Sequence, residues 1–404
     1  MSFLREIPPT AGLPLRLSDF FVQPPALLEE ALASHLALPK VQVECSGSAA
    51  LYITFAYLRS VSARRTVIVP AYTCPLVARV AERAGLKMLA CDTEPGSLEL
   101  DLGHLATLLS EDTLCVIPTH YGGYITDVSR VSAFVKEESP ETWIIEDAAQ
   151  AFGATVGGKP AGTLGDIGFF SFAVGKGMTL YEGGALVARD PQIGEALEKL
   201  SAKIVPLDPL FELCRSIQLA GFYLFYRTAP LYFAYGAPLR FHLNRGDAVR
   251  AIGDYFDSEI PLHKVSVWRK KTGSNALARL KTHQDASKKR FEALENLLGG
   301  APGLKLLSQP DKSSPTYTFG FVHFDTENAC QSALSSLWRA GLGVSKLFVH
   351  ALGEYDYLEK YLQPTETPNA SAFAKQTLTV SLSPFLEERE LSHIADTLKS
   401  SANK

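Results

Sequence analysis

The sequence has no excess of positive charge. Its 404 residues include 39 lysines and arginines and 43 aspartates and glutamates, so the formal net charge is −4. Proteins that bind the nucleic-acid backbone carry a concentrated field of cations, on which their affinity depends. The composition therefore disfavours polyanion binding, and we expect no nucleic acid as a partner.

Cysteine is scarce, and its spacing indicates no special chemistry. The six cysteines form no CxxC pair and no histidine–cysteine spacing of the kind that holds zinc. We therefore expect neither a metal site nor a disulfide framework. The cysteines are Cys45, Cys74, Cys91, Cys115, Cys214 and Cys330.

Long hydrophobic runs are also missing. The N-terminal segment carries acids and no uninterrupted apolar stretch, so it does not resemble a secretory signal. Residues 207–241 are rich in aromatics, and only Arg227 is charged within residues 216–239. The uncharged runs on either side of Arg227 are too short to cross a bilayer, and Pro230 and Pro238 interrupt them. We expect no transmembrane helix and a cytoplasmic protein.

Four short apolar runs with regular spacing predict the fold class. TVIVP, LKMLAC, LCVIP and WIIE alternate with segments of helical periodicity. Strands that are apolar on both faces and alternate with helices are typical of a mainly parallel sheet covered by helices on both sides. The sequence therefore predicts an α/β fold, in which right-handed crossovers bring the carboxyl ends of these strands to one edge.

The length and the 46% hydrophobic content suit two domains. We expect residues 1–245 to form a large domain, with the proline-rich residues 1–25 as an extended arm over its surface. Residues 246–404 should form a smaller α+β domain. In it, a long amphipathic helix, ALARLKTHQDASKKRFEALENLL, precedes the strand-like runs TYTFGFVHF and TLTVSLSPF.

An acid and a lysine close together in the chain indicate the chemistry. Asp147 follows an apolar strand, at the edge where parallel sheets place their ligands. Lys176 stands between two glycines after the apolar run FFSFAV, where loss of hydration would lower its pKa and give a nucleophilic amine able to form a Schiff base. A nearby acid would suit a pyridinium nitrogen. Together they suggest pyridoxal 5'-phosphate (PLP) as cofactor.

Simpler roles for Lys176 fit the surrounding residues less well. A phosphate-binding Walker A loop needs glycine and serine or threonine at positions that here hold Phe170 and Gly177. The preceding glycines do not form GxGxxG and follow a loop, so a dinucleotide site is not expected. A lysine in a solvated loop remains the plainest alternative.

The same stretch resembles a known family. EDAAQAFGA, GTLGDIGFFSF, Lys176 and EGGALVARD follow the order and spacing of the DegT/StrS sugar aminotransferases, within the fold-type-I PLP enzymes. The resemblance extends from Cys45 to about Asp190. It implies a large domain with a seven-stranded-type sheet, a smaller C-terminal domain and a homodimer.

The resemblance also implies roles for individual residues. Lys176 resembles the lysine that forms the Schiff base with PLP, and Asp147 the partner of the pyridine nitrogen. Gln150 matches the contact to the ring oxygen, and Ser171 the serine that binds the phosphate.

A second phosphate-binding element is expected in SGSAAL. A strand that ends there and opens an apolar helix leaves backbone N–H groups unpaired at the helix start, which suits a phosphate. The family binds the PLP phosphate at this place, so Gly47 and Ser48 are candidates. The alternative is that a serine of this segment only caps the helix.

Two loops at the same edge depart from the family pattern. Where the family has an aromatic residue stacked on the cofactor ring, this chain has Cys74, so either the thiol packs on the ring or Tyr72 turns in. His120 matches a family histidine, although Gly122 stands where a tyrosine would follow. A histidine after a strand is often a hydrogen-bonding core residue. We place Tyr72 and His120 in the substrate pocket.

The resemblance implies transfer of an amino group from glutamate or glutamine to a keto sugar on a nucleotide, in polysaccharide or glycoconjugate biosynthesis. The aromatic block 216–241 supports an alternative, a hydrophobic or lipid-linked keto substrate met at the membrane surface. The same block could instead be buried in the homodimer, which we favour because fold-type-I enzymes are usually dimers. A non-catalytic PLP-binding sensory protein is the alternative from another class.

Overall fold

A computed structural model describes residues 4–256, 259–310 and 312–403. Short 3₁₀-helices lie at Leu352–Glu354 and Asp356–Tyr361, and a π-helix at Tyr232–Gly236. The strands are β1 (Gln42–Glu44), β2 (Thr66–Pro70), β3 (Lys87–Cys91), β4 (Thr113–Val116), β5 (Trp143–Asp147), β6 (Thr155–Val156), β7 (Lys159–Pro160), β8 (Ile167–Ser171), β9 (Gly184–Ala188), β10 (Leu304–Leu306), β11 (Ser313–Ser314), β12 (Phe319–Phe324), β13 (Val344–Ser345), β14 (Leu362–Gln363) and β15 (Thr377–Ser381). The α-helices are α1 (Leu17–Phe21), α2 (Leu28–His35), α3 (Gly47–Val61), α4 (Leu76–Arg83), α5 (Leu102–Leu108), α6 (Val128–Glu138), α7 (Pro191–Ile204), α8 (Pro209–Phe225), α9 (Ala237–Asn244), α10 (Ala248–Ile252), α11 (Val267–Leu277), α12 (Leu280–Leu298), α13 (Glu327–Leu337), α14 (Pro368–Gln376) and α15 (Glu388–Ala402).

The main sheet has eight strands in the order β1-β9-β8-β5-β4-β2-β3-β14. β14, β3, β2, β4, β5 and β8 pair in parallel, whereas β9 is antiparallel to β8 and β1 is antiparallel to β9. The predicted α/β fold with a mainly parallel sheet is confirmed. The eighth strand, β14, is a two-residue segment that returns from the C-terminal part of the chain.

The central strands are buried on both faces, as their apolar runs predict. Along β2, Val67 and Val69 pack into one core with α3 and α4, whereas Ile68 between them packs into a second core with α5 and α6. Successive side chains of a strand point to opposite faces, so one short run fills two layers. The sheet is thus the middle layer of three. Because helices cover both of its faces, ligands can reach it only at the ends of its strands.

A second sheet lies in the C-terminal part of the chain. It has four strands in the order β10-β12-β15-β13, all antiparallel, and the core beneath it contains apolar side chains from α12, α13 and α15. The long amphipathic helix predicted there corresponds to α12, and it begins only after the separate helix α11. The domain boundary at residue 245 stays a prediction.

The N-terminal arm differs from the sequence prediction. It is extended before α1, but it does not lie on the surface, because Ile7, Leu13 and Leu15 are buried. Its backbone donates hydrogen bonds from Ala11 to the Thr318 carbonyl at 2.7 Å and from Leu13 to the Gly177 carbonyl at 3.0 Å. The arm is therefore held inside the protein, next to the loop that carries Lys176.

The aromatic block, residues 216–241, covers the C-terminal part of α8, the π-helix and the first part of α9. Within the described ranges of the chain, we find no helix with the length and apolar content that crossing a bilayer requires. α8 buries Leu219 and Phe222 against the N-terminal arm, and its other face is exposed.

Candidate active site

One cavity collects almost all of the predicted site residues. It has a volume of about 380 Å³ and lies beyond the carboxyl ends of β2, β4 and β5, where parallel sheets bind ligands. Among the side chains around it, those named from the sequence are Gly47, Ser48, Cys74, His120, Asp147, Gln150, Ser171 and Lys176.

The start of α3 forms a cradle at one end of the cavity. The Ser46 hydroxyl caps the helix by accepting a hydrogen bond from the Ala49 N–H at 3.0 Å. For the N–H groups of Gly47 and Ser48, the described part of the chain provides no partner. A Cβ atom on Gly47 would lie 2.9 Å from the Cβ of Ser171, so only glycine lets the helix start approach that serine. The cap on Ser46 therefore leaves the next two N–H groups available to an anion.

Asp147 ends β5 at the other side of the cavity. Its side chain is buried, and Oδ1 accepts a hydrogen bond from the Ala149 N–H at 2.9 Å. Burial raises the pKa of its carboxyl to about 6, although the Ala149 N–H and Lys176 act in the opposite direction. The carboxylate therefore occupies a site where a cation would stabilise it.

Lys176 follows β8 in a loop that glycine makes possible. Gly175 has a φ of 83°, and a Cβ atom there would lie 2.8 Å from the Thr10 hydroxyl. Burial lowers the pKa of the Lys176 amine, and the neighbouring Cys74, Asp147 and Asp254 oppose that shift. A lowered pKa increases the fraction of neutral amine, the form that acts as nucleophile and base.

His120 and Glu146 form a buried pair behind the cavity wall. His120 Nε2 lies 2.8 Å from Glu146 Oε1, and the Thr126 N–H lies 3.2 Å from His120 Nδ1. Since Nδ1 accepts this hydrogen bond, Nε2 carries the proton and donates it to Glu146. Burial acts against the Glu146 carboxylate, yet the bonds from His120 and from the loop N–H groups lower its pKa overall. His120 is thus a fixed hydrogen-bonding residue that also lines the cavity.

The structure places Cys74 at the cavity and Tyr72 away from it. The Tyr72 ring is buried against Phe348 and Phe373, and its hydroxyl accepts a hydrogen bond from the Phe348 N–H at 3.3 Å. The expectation that Tyr72 lines the pocket therefore needs correction, because its side chain points into the core. Burial raises the pKa of the Cys74 thiol to about 12, so this wall residue is neutral.

Asp254 is a cavity residue that the sequence patterns do not reveal. Its Oδ2 accepts hydrogen bonds from the Tyr355 hydroxyl at 2.6 Å and from the Val349 N–H at 3.0 Å. Burial raises the pKa of its carboxyl to about 6, partly offset by the bond from Tyr355. The partners lie about a hundred residues further along the chain, so no local pattern identifies this acid. The only local signal is Gly253, which ends α10 with a positive φ.

A second cavity, of about 320 Å³, adjoins Lys176. The aromatic block contributes part of its wall. The residues that it shares with the first cavity are Gln150, Val174, Lys176, Ile252 and Leu347. Lys176 is the one charged side chain among its described lining residues. The contributions of the aromatic block are Tyr226, Leu231 and Tyr235.

Solved structures with high TM-scores share the fold of this chain. DesI, crystallised in the presence of its TDP-sugar product, superposes with a TM-score of 0.74 at 18% identity, covering 99% of this chain and 94% of that chain. Spr1654 from Streptococcus pneumoniae, in its PLP-form, gives a TM-score of 0.72 at 19% identity, covering 98% and 99%. These similarities confirm the predicted fold-type-I architecture.

Sequence relatives define the class further. The dTDP-4-dehydro-2,3,6-trideoxy-D-glucose 4-aminotransferase of Saccharopolyspora spinosa is 24% identical over 378 residues, which cover 91% of this chain and 86% of that protein. The GDP-perosamine synthase of Caulobacter vibrioides is 30% identical over 173 residues, covering 43% of this chain and 46% of that protein.

The DegT/DnrJ/EryC1/StrS aminotransferase family matches residues 25–205 and 271–399. The chain belongs to this family and is an enzyme of the aminotransferase class, as its motifs predict. Residues 206–270, which include α8 and α9, lie outside the match.

Proposed function

We propose that the protein is a PLP-dependent aminotransferase that transfers an amino group from an amino acid to a keto sugar. The observation that supports this most directly is the single cavity that holds an anion cradle at Gly47, a buried acid at Asp147 and a buried lysine at Lys176. The name of the Saccharopolyspora spinosa relative describes a dTDP-linked acceptor, which supports a nucleotide-linked sugar here.

The cavity residues fit PLP in charge and in hydrogen-bonding groups. The N–H groups of Gly47 and Ser48, with the Ser171 hydroxyl, would hold the phosphate. Asp147 would pair with the pyridinium nitrogen, and Gln150 would contact the ring oxygen. When bound, PLP supplies an electron sink for the negative charge that develops on the substrate carbon.

Lys176 would act both as anchor and as base. Its amine has a lowered pKa, so it can take up the proton that the donor's α-carbon gives up. Cys74, whose thiol is neutral, and His120 line the cavity and would exclude water from this carbon. Asp147 stays ionised when a cation lies beside it, because the attraction offsets its burial.

The donor's carboxylate needs a cation in addition to Lys176, and neither cavity supplies one. Among the described residues that line the two cavities there is no arginine, and Lys176 is the one lysine. Carboxylates are commonly bound by bidentate arginines. We propose that a second copy in a homodimer provides this group, with glutamate or glutamine as the donor.

A hydrophobic or lipid-linked keto substrate is the second candidate acceptor. The observation that favours it is the largely apolar wall of the second cavity, which Tyr226, Leu231 and Tyr235 line together with Lys176. Such a wall suits an apolar group better than a diphosphate.

The experiment that tests the proposed function measures the reaction with the amino donor and the reaction with the keto acceptor one after the other. Purified protein loaded with PLP is mixed with glutamate, and the absorbance of the bound cofactor is followed; we expect a change, with release of 2-oxoglutarate. Addition of a dTDP-linked 4-keto sugar should then restore the first spectrum and yield an amino sugar. Absence of any change with all common amino donors would instead support the sensory alternative.

Substitution of Gly47 tests the phosphate cradle. In Gly47→Ala the added methyl group meets the Cβ of Ser171, so the helix start must move. We expect the PLP dissociation constant to rise about tenfold or more, which corresponds to roughly 1.4 kcal/mol. Fluorescence titration with PLP measures it. Gly194→Ala, where a Cβ atom meets only ordinary contact, is the matched control, and equal affinities of both variants would exclude the cradle.

A further inference from the structure

The outward side of α8 is an uncharged apolar surface. Leu210, Leu213, Ile217, Ala220 and Leu224 are exposed and lie three or four positions apart, so they form one stripe along the helix. At 1.5 Å per residue the stripe is about 20 Å long. We call these five residues the α8 face.

Neighbouring elements extend the α8 face. Phe20 of α1 packs on Tyr223 of α8, with ring centroids 5.7 Å apart, and stacks on Trp268 of α11 at 5.5 Å. Beside these contacts lie further apolar side chains that are more than half exposed. They are Leu17, Phe21, Val22 and Val267. Contiguous apolar surface of this kind marks a site of association.

The exposed charges within residues 209–246 have one sign. Within residues 209–246 the one acid is Glu212, which is buried and paired with Arg269 at 2.6 Å. Arg227 and Arg245 are exposed and make cation–π contacts with Tyr223 and Phe241. In the described part of the chain neither arginine has an ion pair.

We propose that the α8 face binds the interface of an anionic lipid bilayer. In an isologous dimer the same surface of a second copy would cover the face. Residues 209–246 of that copy would offer Arg227 and Arg245 no free acid, and the carboxylate of Asp208, just before the stripe, is engaged in capping α8 through the Phe211 N–H. Lipid phosphates supply the missing negative charge, while the apolar stripe enters the boundary between headgroups and acyl chains.

The position of this segment agrees with the proposal. The α8 face lies within residues 206–270, which the family match does not cover. The same segment walls the second cavity through Tyr226, Leu231 and Tyr235. A bilayer docked on α8 would thus bind the segment that borders Lys176. The proposal concerns the surface and holds for either acceptor.

Vesicle flotation tests the proposal with the full-length PLP-loaded protein. We expect flotation with vesicles of 1:1 phosphatidylcholine and phosphatidylglycerol, and much less with phosphatidylcholine alone. The double variant Ile217→Asp, Leu224→Asp should lose flotation at least about tenfold, because each charge enters the apolar boundary. The control variant is Val61→Asp, at the end of α3, where the valine is about as exposed as Ile217 and Leu224. It should float like the original protein.

Two further measurements keep the outcomes distinct. Arg227→Gln with Arg245→Gln should weaken flotation on anionic vesicles while the apolar stripe remains. Light scattering should give the same oligomeric mass for the original protein and the aspartate variant. The proposal is overturned if the original protein does not float, if the arginine variant floats unchanged, or if the aspartate variant loses a subunit, since a second copy would then cover the face.

Discussion

Lys176→Arg is expected to remove transamination while the protein stays folded. Arginine keeps the positive charge and much of the length of lysine, but it cannot deprotonate within the accessible pH range. It can therefore neither act as a nucleophile nor accept the proton from the donor's α-carbon. We expect kcat with glutamate to fall by roughly 10⁴-fold or more.

Stopped-flow absorbance and product analysis measure this loss. PLP affinity should fall less than the rate, because the cradle at Gly47 and the acid at Asp147 remain. Lys199→Arg changes a lysine whose side chain is 79% exposed, and it should leave the rate unchanged. A Lys176→Arg enzyme that retains a tenth of the original rate would contradict the role of Lys176 as anchor and base.

Asp147→Asn is expected to lower the rate by roughly 10²- to 10⁴-fold. Asparagine is nearly isosteric with aspartate, but it cannot hold a proton on the pyridine nitrogen through charge, so the electron sink is weakened. In the original enzyme, PLP affinity should also fall as pH drops through about 6, because Asp147 then becomes neutral before the cofactor binds. That pH dependence should be absent from the variant.

The same substitution should stabilise the cofactor-free protein, which separates function from folding. The pKa of Asp147 is raised from 3.8 to about 6, so the folded state disfavours its charge, at a cost on the order of 3 kcal/mol above pH 6. The stability that Asp147→Asn gains relative to the original protein should be largest above pH 6 and vanish towards pH 4. Urea unfolding of both proteins measures this, and a variant that is less stable at pH 7 would show that Asp147 has a structural role instead.

Some features follow from local sequence because local physics determines them. β2 can be predicted from TVIVP, since a strand between two helical layers is apolar on both faces, as Val67, Ile68 and Val69 are. The cavity composition is readable too, because Asp147 ends a strand and Gly47 starts a helix at the same sheet edge.

Other features depend on packing between distant segments. Tyr72 and Cys74 both lie in the loop after β2, where strand alternation no longer determines side-chain direction, so sequence alone could not decide which one faces the cavity. Contacts of Tyr72 with Phe348 and Phe373 decide it. Asp254 reaches the cavity only because Tyr355 and Val349 hold its carboxylate.

The N-terminal arm illustrates the same limit. Its prolines predict extended backbone, which is correct for residues before α1, but they carry no signal for burial. Leu13 and Leu15 are buried because α8 supplies Leu219 and Phe222 across the fold. The partner lies two hundred residues away, in the part of the chain that the family does not match.

The central claim is that Lys176 is the residue to which PLP becomes covalently attached. Its most direct test is reduction of the PLP-loaded protein with borohydride, followed by proteolysis and mass spectrometry of every lysine-containing peptide. We predict one phosphopyridoxyl label, on the peptide that contains Lys176, and no label in Lys176→Arg. A label on another lysine, or none at all, would contradict the proposed site and the function built on it.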